Sequence, residues 1–332
     1  MLKTHMEKLF GYIYELYGIK LSFLERVQKG YLSENHVLSD GDIKYFLKKY
    51  RFNNEEKILE IHSVKKYFSD GGIPVILPLS TKEGRTFFSF GGEFYAIFPF
   101  ISGMQTEGKN LADSGIISLA EMLGKMHLWG KDSKLPLKSV FKPWNKEKTL
   151  KEISLIEAEI QKISQPSDFD VEALKGIQEK KNFILENSLV CENFNLPSDH
   201  LIHGDYLEHN VFFDKNNRAS HIFDFEKAEY SPRTQELLRS MMFIFFNSGI
   251  NEKDFKNARL YIDSYSDIYP LSRDELARGL KMFYTKSFHR VWVESEHYLK
   301  NNKRVDLFLK MDNDRIGYLS KNYEEFEKRI IL

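Results

Sequence analysis

The run Leu201-Ile202-His203-Gly204-Asp205-Tyr206-Leu207-Glu208-His209-Asn210, then Val211-Phe212-Phe213-Asp214, then His221-Ile222-Phe223-Asp224-Phe225-Glu226, decides the fold. The apolar pair Leu201–Ile202 stops at His203-Gly204-Asp205. Two short β-prone runs, 211–213 and 221–223, flank the turn-forming segment Asp214–Ser220 and read as a hairpin. Asn210 stands one residue before the first run and Asp224 one after the second, so the hairpin brings amide and carboxylate together. Asp205, on the tight loop upstream, hangs over the same point. Two hard oxygen ligands beside a separate carboxylate suit Mg²⁺ carrying a phosphate chain. The separate carboxylate can accept a proton from an attacking hydroxyl. A plain hairpin with polar capping residues satisfies the same pattern, and the rest of the chain must decide between them.

The totals narrow the field. A chain of 332 residues with 42% hydrophobic content predicts two domains or lobes around ample cores. Lys+Arg and Asp+Glu both number 48, so the formal net charge is zero and nothing draws nucleic acid or an anionic membrane globally. The single cysteine, Cys191, forms no internal disulfide, which fits a reducing cytoplasm. No apolar run reaches membrane-spanning length, and the first residues lack the pattern of a signal peptide.

Met6, Leu9, Phe10, Ile13 and Tyr17 recur at helical spacing, and Gly18 ends that opening helix. Strands are expected over 21–27, near 36–38 and over 44–50, the last two joined by an Asp40-Gly41 turn. A helix capped by Asn53 or Asn54 follows to about Phe68 and stops at Gly71-Gly72 and Pro74. A short strand is expected over 75–79. Runs 86–90 and 94–98 flank Gly91-Gly92 as another hairpin. After Leu111 the pattern is largely helical, with one or two charged surface helices over 146–188 and a last helix over 312–329. There is no internal repeat and no low-complexity tract.

The order sheet, inserted helix, sheet, connector and helical lobe is that of a two-lobed phosphotransferase. The chain resembles the aminoglycoside phosphotransferase and choline kinase family, which shares the protein-kinase-like fold. The resemblance is carried by His203-Gly204-Asp205 with Asn210, by Asp224-Phe225-Glu226 on its hairpin, by the surroundings of Gly124 and His127, and by Phe46-Leu47-Lys48. It implies an α+β fold: residues 1–100 an antiparallel-sheet nucleotide lobe with one long helix, residues 101–332 a mainly helical lobe with the catalytic loop and acceptor site. It implies Asp205 as catalytic base, and Asn210 and Asp224 as ligands of the Mg²⁺ that bridges the ATP phosphates. Lys48 matches the third-strand lysine that meets those phosphates, and Glu60 on the inserted helix is the candidate for its ion-pair partner. Gly30, Ser33 and Asn35 occupy the place of the glycine-rich phosphate loop, although that stretch holds one glycine only. Phe98 to Ile101, with Phe98 and Phe100, takes the place of the connector that receives adenine. His127 reads as a satisfied core residue, His203 as a brace of the catalytic loop, and Arg233, Glu236 and Arg239 as structural ion-pair elements.

The expected activity is ATP- and Mg²⁺-dependent phosphorylation of a hydroxyl on a small molecule. Choline-like amino-alcohols and homoserine-like amino acids come first, aminoglycosides second, and a non-catalytic nucleotide-binding or structural role third. Glu208 and Glu226 would give an acidic rim suited to a cationic acceptor or to Mg²⁺ alone. Lys286, His289 and Arg290, beside the aromatic stripe Phe283, Tyr284, Phe288 and Trp292, could instead bind a carboxylate or form a solvated face. Neither the acceptor nor the oligomeric state is legible in the sequence.

Overall fold

The computed structural model describes residues 2–27, 35–104, 108–247 and 249–331. Helix α1 (Leu2–Tyr17) lays Leu9 and Ile13 against a sheet formed by β1 (Ser22–Val27), β2 (Asn35–Asp40), β3 (Ile43–Lys49) and, further on, β4 (Phe88–Phe90) and β5 (Glu93–Pro99). The five strands are antiparallel in the order β1-β2-β3-β5-β4. Gly91 and Gly92 both take positive φ, which a two-residue turn with the twist of its strands requires.

Between β3 and β4 runs α2 (Glu55–Asp70). Asn54 caps it by accepting from the Lys57 amide at 3.0 Å, and Glu55 and Glu56 sit in its first turn, where the helix dipole favours them. The expected strand over 75–79 is absent. Pro74 and Pro78 remove two ladder donors, and what remains is a bridge from Val75 to Ile222 and a bond from the Leu79 amide to Ile97 O at 2.7 Å. That bridge couples the segment after α2 to the later hairpin.

The second lobe is mainly helical: α3 (Asp113–Gly130), α4 (Lys146–Gln161), α5 (Asp168–Glu186), then β6 (His200–Ile202), β7 (Val211–Phe213), β8 (Ala219–Ile222) and β9 (Glu229–Ser231). It continues through α6 (Arg233–Phe245), α7 (Glu252–Ile268), α8 (Arg273–Phe288), the short α9 (Trp292–Glu294) and α10 (Leu309–Ile331). The charged stretch 146–188 resolves into two helices because Ser167, after Pro166, starts the second with a capping box to Asp170. Phe283, Tyr284 and Phe288 are core residues, whereas Trp292 is 45% exposed. Helix α2 serves two cores. Ile58 packs with Tyr50, Phe87 and Phe98 under the sheet, while Ile61, Val64 and Phe68 join the large core of the helical lobe.

Buried histidines give this packing a pH signature. His62 on α2 lies between Tyr50 Oη at 2.6 Å and Thr86 Oγ1 at 2.7 Å, and burial pushes it down to about 3. Burial likewise lowers His200 to about 4. The unfolded chain protonates these imidazoles near pH 6.5, while the folded chain keeps them neutral well below that. Their stabilising contribution is therefore complete above pH 6.5 and is lost as pH falls toward 4. Urea unfolding is expected to lose about 2 kcal/mol between pH 6 and pH 5 from this pair. A flat stability profile over that interval would contradict the assignment.

Candidate active site

Strands β7 and β8 pair as the sequence predicts, but β8 begins at Ala219 and ends at Ile222, leaving Phe223 outside the ladder. Its amide donates to Asn210 O at 3.1 Å, which draws the two ends of the hairpin together. Asn210 is buried and its Nδ2 donates to Asp205 O at 2.8 Å. With the amide hydrogens so oriented, the remaining functional atom of Asn210 is Oδ1, an oxygen of the kind a hard cation takes. Asp224 follows in the left-handed region, at φ 65°, a conformation uncommon outside glycine and frequent at functional sites. Gly204, at φ 81°, fits where nothing larger does: a Cβ there would lie 1.9 Å from Lys227 O.

The segment His203–Asp205 is clamped from beneath by Glu236 on α6. This buried carboxylate accepts from the His203 amide at 2.9 Å, from the Gly204 amide, and from His127 Nε2 at 3.1 Å. His127, fully buried, also meets Tyr265 Oη at 2.9 Å. Burial alone would raise Glu236, but the His127 bond and the loop amides outweigh it and hold the carboxyl below its ordinary range. His203 spans the loop, its Nδ1 accepting from the Asp205 amide at 3.2 Å and its Nε2 donating to Phe223 O at 2.8 Å. Glu236 thus acts on backbone amides and a histidine, and Arg233 pairs separately with Glu275 at 2.6 Å.

Lys48 reaches this centre from β3. Its Nζ lies 3.1 Å from Asp224 Oδ1 and 2.6 Å from Glu226 Oε1. Burial would lower the ammonium, yet the two carboxylates outweigh that and hold it above its usual value. The expected pair of Lys48 with Glu60 is not formed. The face of α2 turned inward carries Ile58, Ile61, His62, Lys65 and Phe68, which leaves Glu60 on the flank. There it pairs with Lys57 at 3.0 Å and accepts from the Lys138 amide at 2.7 Å. The inward polar residue is instead Lys65, whose Nζ lies 4.4 Å from the Phe98 centroid and donates to Ile76 O at 3.2 Å. Burial and the charge of Lys48 push Lys65 down to about 7.

Asn35 begins β2 directly opposite Lys48, with its buried Oδ1 accepting no hydrogen bond among the described residues. Gly30 and Ser33 lie outside the described residues. Phe98 is a core residue under the sheet, while Phe100, just past β5, is half-buried and donates its amide to Lys44 O at 3.3 Å.

Asp205 is engaged from the other direction. Lys227 Nζ lies 2.8 Å from Oδ2, and Arg239 Nη2 approaches Oδ1 at 2.6 Å without the alignment of a hydrogen bond. Burial would raise this carboxyl, but Arg239 and then Lys227 hold it far below its ordinary value. Sequence reasoning placed Glu226 at the acceptor rim and not beside Lys48, took Arg239 as a structural ion-pair element, and missed Lys227. The available signal for Glu226 was its spacing from Asp224 across the buried Phe225.

The metal question turns on donor chemistry. Asn210 and Asp224 supply two oxygen donors, and no group of three or more His, Cys, Asp or Glu suited to a metal exists among the described residues. Two protein oxygens fit Mg²⁺, which keeps waters and takes its other ligands from phosphates. No described helix is long and apolar enough to cross a membrane. A cavity of about 280 Å³ lined by Phe246, Asn247, Arg315 and Tyr318 lies elsewhere, and none of Lys48, Asp205, Asn210 and Asp224 lines it.

The five-stranded sheet with one inserted helix, the connector and the helical lobe constitute a protein-kinase-like fold. Residues 24–260 match the phosphotransferase enzyme family. The chain belongs to that family and is a small-molecule phosphotransferase. Among solved structures it is similar to the AMP-bound complex of spectinomycin phosphotransferase, with a TM-score of 0.64, 16% identity, and 94% of this chain and 96% of that one covered. It is also similar to choline kinase from Cryptosporidium parvum Iowa II, with a TM-score of 0.62, 14% identity and 98% of both chains covered. An amicoumacin kinase in complex with AMP-PNP, Ca²⁺ and Ami aligns at a TM-score of 0.57 and 16% identity, covering 90% of this chain and 92% of that one. No curated protein matches the chain by sequence.

Proposed function

We propose that this phosphotransferase uses ATP and Mg²⁺ to phosphorylate a hydroxyl of a small molecule. The observation that carries this reading is the convergence on one loop of Lys48, Asp205, Asn210 and Asp224: Lys48 on Asp224 at 3.1 Å, and Asn210 on the Asp205 carbonyl at 2.8 Å. Asn210 and Asp224 would hold the metal, which when bound offsets phosphate charge. Lys48 would supply a second positive charge to the same phosphates. Asn35, opposite Lys48, is a candidate polar contact for the nucleotide, and Gly30 and Ser33 belong to the same proposed loop. Phe98 and Phe100 flank the proposed adenine position, and Glu60 is assigned no direct contact.

Asp205 orients the acceptor hydroxyl. The acceptor oxygen forms its bond to the γ-phosphorus, the bond from that phosphorus to the β-phosphate oxygen breaks, and the hydroxyl proton passes to the Asp205 carboxylate. A carboxylate held this acidic is a weak base, so its main effect is positioning, with proton uptake late. That agrees with a loose transition state, in which bond formation to the nucleophile lags. The single cysteine accords with a cytoplasmic enzyme.

The test is ADP formation by the purified chain with ATP, Mg²⁺ and a panel of hydroxylated acceptors. Acceptor-dependent ADP release is expected, abolished by EDTA and restored by excess Mg²⁺. Nucleotide and metal binding without acceleration by any acceptor would favour a non-catalytic nucleotide-binding protein.

A further inference from the structure

The charge around Asp205 has the opposite sign from the acidic rim that the sequence suggested. Arg239 and Phe243 stand one turn apart on α6, and the Phe243 ring gathers three guanidinium groups. Arg239 Cζ lies 4.9 Å from its centroid, Arg290 Cζ 4.9 Å and Arg315 Cζ 4.2 Å. Arg239 is the same residue that reaches Asp205 at 2.6 Å, so the cluster is continuous with the candidate base. Lys286, in the last turn of α8, lies with its Nζ 4.1 Å from the Phe141 centroid. Among the described residues no carboxylate comes within ion-pair distance of that ammonium. Burial, together with Arg239 and Arg290, pushes it down to about 8 despite the nearby Glu229.

The anions present do not balance these cations. Asp312 is shared by Arg290 at 2.6 Å and Arg315 at 3.0 Å, and Asp205 is shared by Arg239 and Lys227. Each of these two carboxylates thus serves two cations, and Lys286 has only Glu229, beyond ion-pair distance, to offset it. Arg290 also holds a buried Nε that donates to nothing among the described residues. A buried donor without an acceptor is unfavourable, and guanidinium groups are suited to forked recognition of carboxylate and phosphate. Assembling like charges in partly desolvated surroundings is likewise unfavourable unless an anion joins them.

We infer that the acceptor is an anionic small molecule, a hydroxyl compound bearing a carboxylate or phosphate group that seats on Arg239, Arg290 and Lys286 while its hydroxyl meets Asp205. This inference rests on the phosphotransferase reading for the role of Asp205 and deepens it by naming the acceptor class. A polycationic or quaternary-ammonium acceptor would be repelled from the same place. Lys227, whose side chain is 55% exposed, is the cation best able to leave Asp205 when the hydroxyl arrives.

The test compares 4-hydroxybutyrate and glycerol 3-phosphate with glycerol, choline and kanamycin, each at equal concentration with saturating ATP and Mg²⁺. At least one of the two anionic probes is expected to accelerate ADP release by about tenfold or more over the neutral and cationic ones, and which of them does so separates carboxylate from phosphate. Arg290→Met and Lys286→Met are each expected to raise KM for that probe by about tenfold, with KM for ATP within about twofold of wild type. Preference for choline or kanamycin would overturn the inference and leave the phosphotransferase reading intact. So would unchanged KM for the anionic probe in both variants. If no probe is turned over, calorimetric titration of the two anionic probes into the AMP-PNP-loaded protein decides. Binding that both variants weaken by about tenfold supports the anion site and counts against phosphoryl transfer. No binding to the wild type overturns the inference.

Discussion

Replacing Asp205 with Asn is expected to lower acceptor-dependent ADP formation by about three orders of magnitude or more while changing nucleotide affinity by less than about threefold. The amide keeps the shape of the side chain but loses the charge proposed to orient the hydroxyl and receive its proton. It also releases Arg239 and Lys227, now paired with this carboxylate at 2.6 and 2.8 Å. The main-chain oxygen of residue 205, which receives the Asn210 amide, is untouched, so the proposed metal ligand keeps its orientation. Steady-state rates with titrations of AMP-PNP separate the two effects. An Asp205→Asn protein that retains full turnover would remove Asp205 from the proposed chemistry.

The largest effect on stability is expected far from that loop. Lys180 on α5 and Glu294 on α9 form an ion pair at 2.7 Å, each side chain 1% exposed. Lys180→Met strands a carboxylate in the interior and is expected to destabilise the protein by about 3–5 kcal/mol, with Tm lowered by roughly 4–7 °C. Lys180→Met combined with Glu294→Met removes both charges and is expected to recover most of the loss, since apolar replacement of a buried pair is often neutral. Thermal melts of the two single variants and the double variant measure the coupling. Additive losses would show that the pair is not the source of the effect. Lys180 also stands near Asp312, so any additional loss in anionic-acceptor affinity would report displacement of Arg290.

The hairpin of β7 and β8 was readable because its signals are local: two apolar runs, a polar turn, and polar residues at both ends. The five-strand sheet was readable for the same reason, through Asp40-Gly41 and Gly91-Gly92. Glu60 was misassigned because periodicity places residues on a helix but does not fix its rotation against a sheet. That rotation is set by Ile58, Ile61 and Phe68, which seat in two different cores. Arg239 looked structural because its partner lies 34 positions earlier on another element. Arg290 and Arg315 converge on Phe243 through three separate segments, and no spacing rule reports such a meeting. The strand expected over 75–79 failed on its prolines, a signal present in the sequence and outweighed by the apolar run.

Helix α2 is fastened to the helical lobe at its far end. Tyr67 Oη donates to Trp129 O at 2.8 Å, Trp129 Nε1 donates to Tyr67 O at 3.1 Å, and the indole fills the space beside Gly71. Swinging this helix away would uncover Ile61, Val64 and Phe68, at about 2 kcal/mol each, or about 6 kcal/mol together. At roughly 1.4 kcal/mol per tenfold, a detached helix is populated in about one molecule in ten thousand. An on–off control that works by displacing this helix therefore has almost no resting population to draw on.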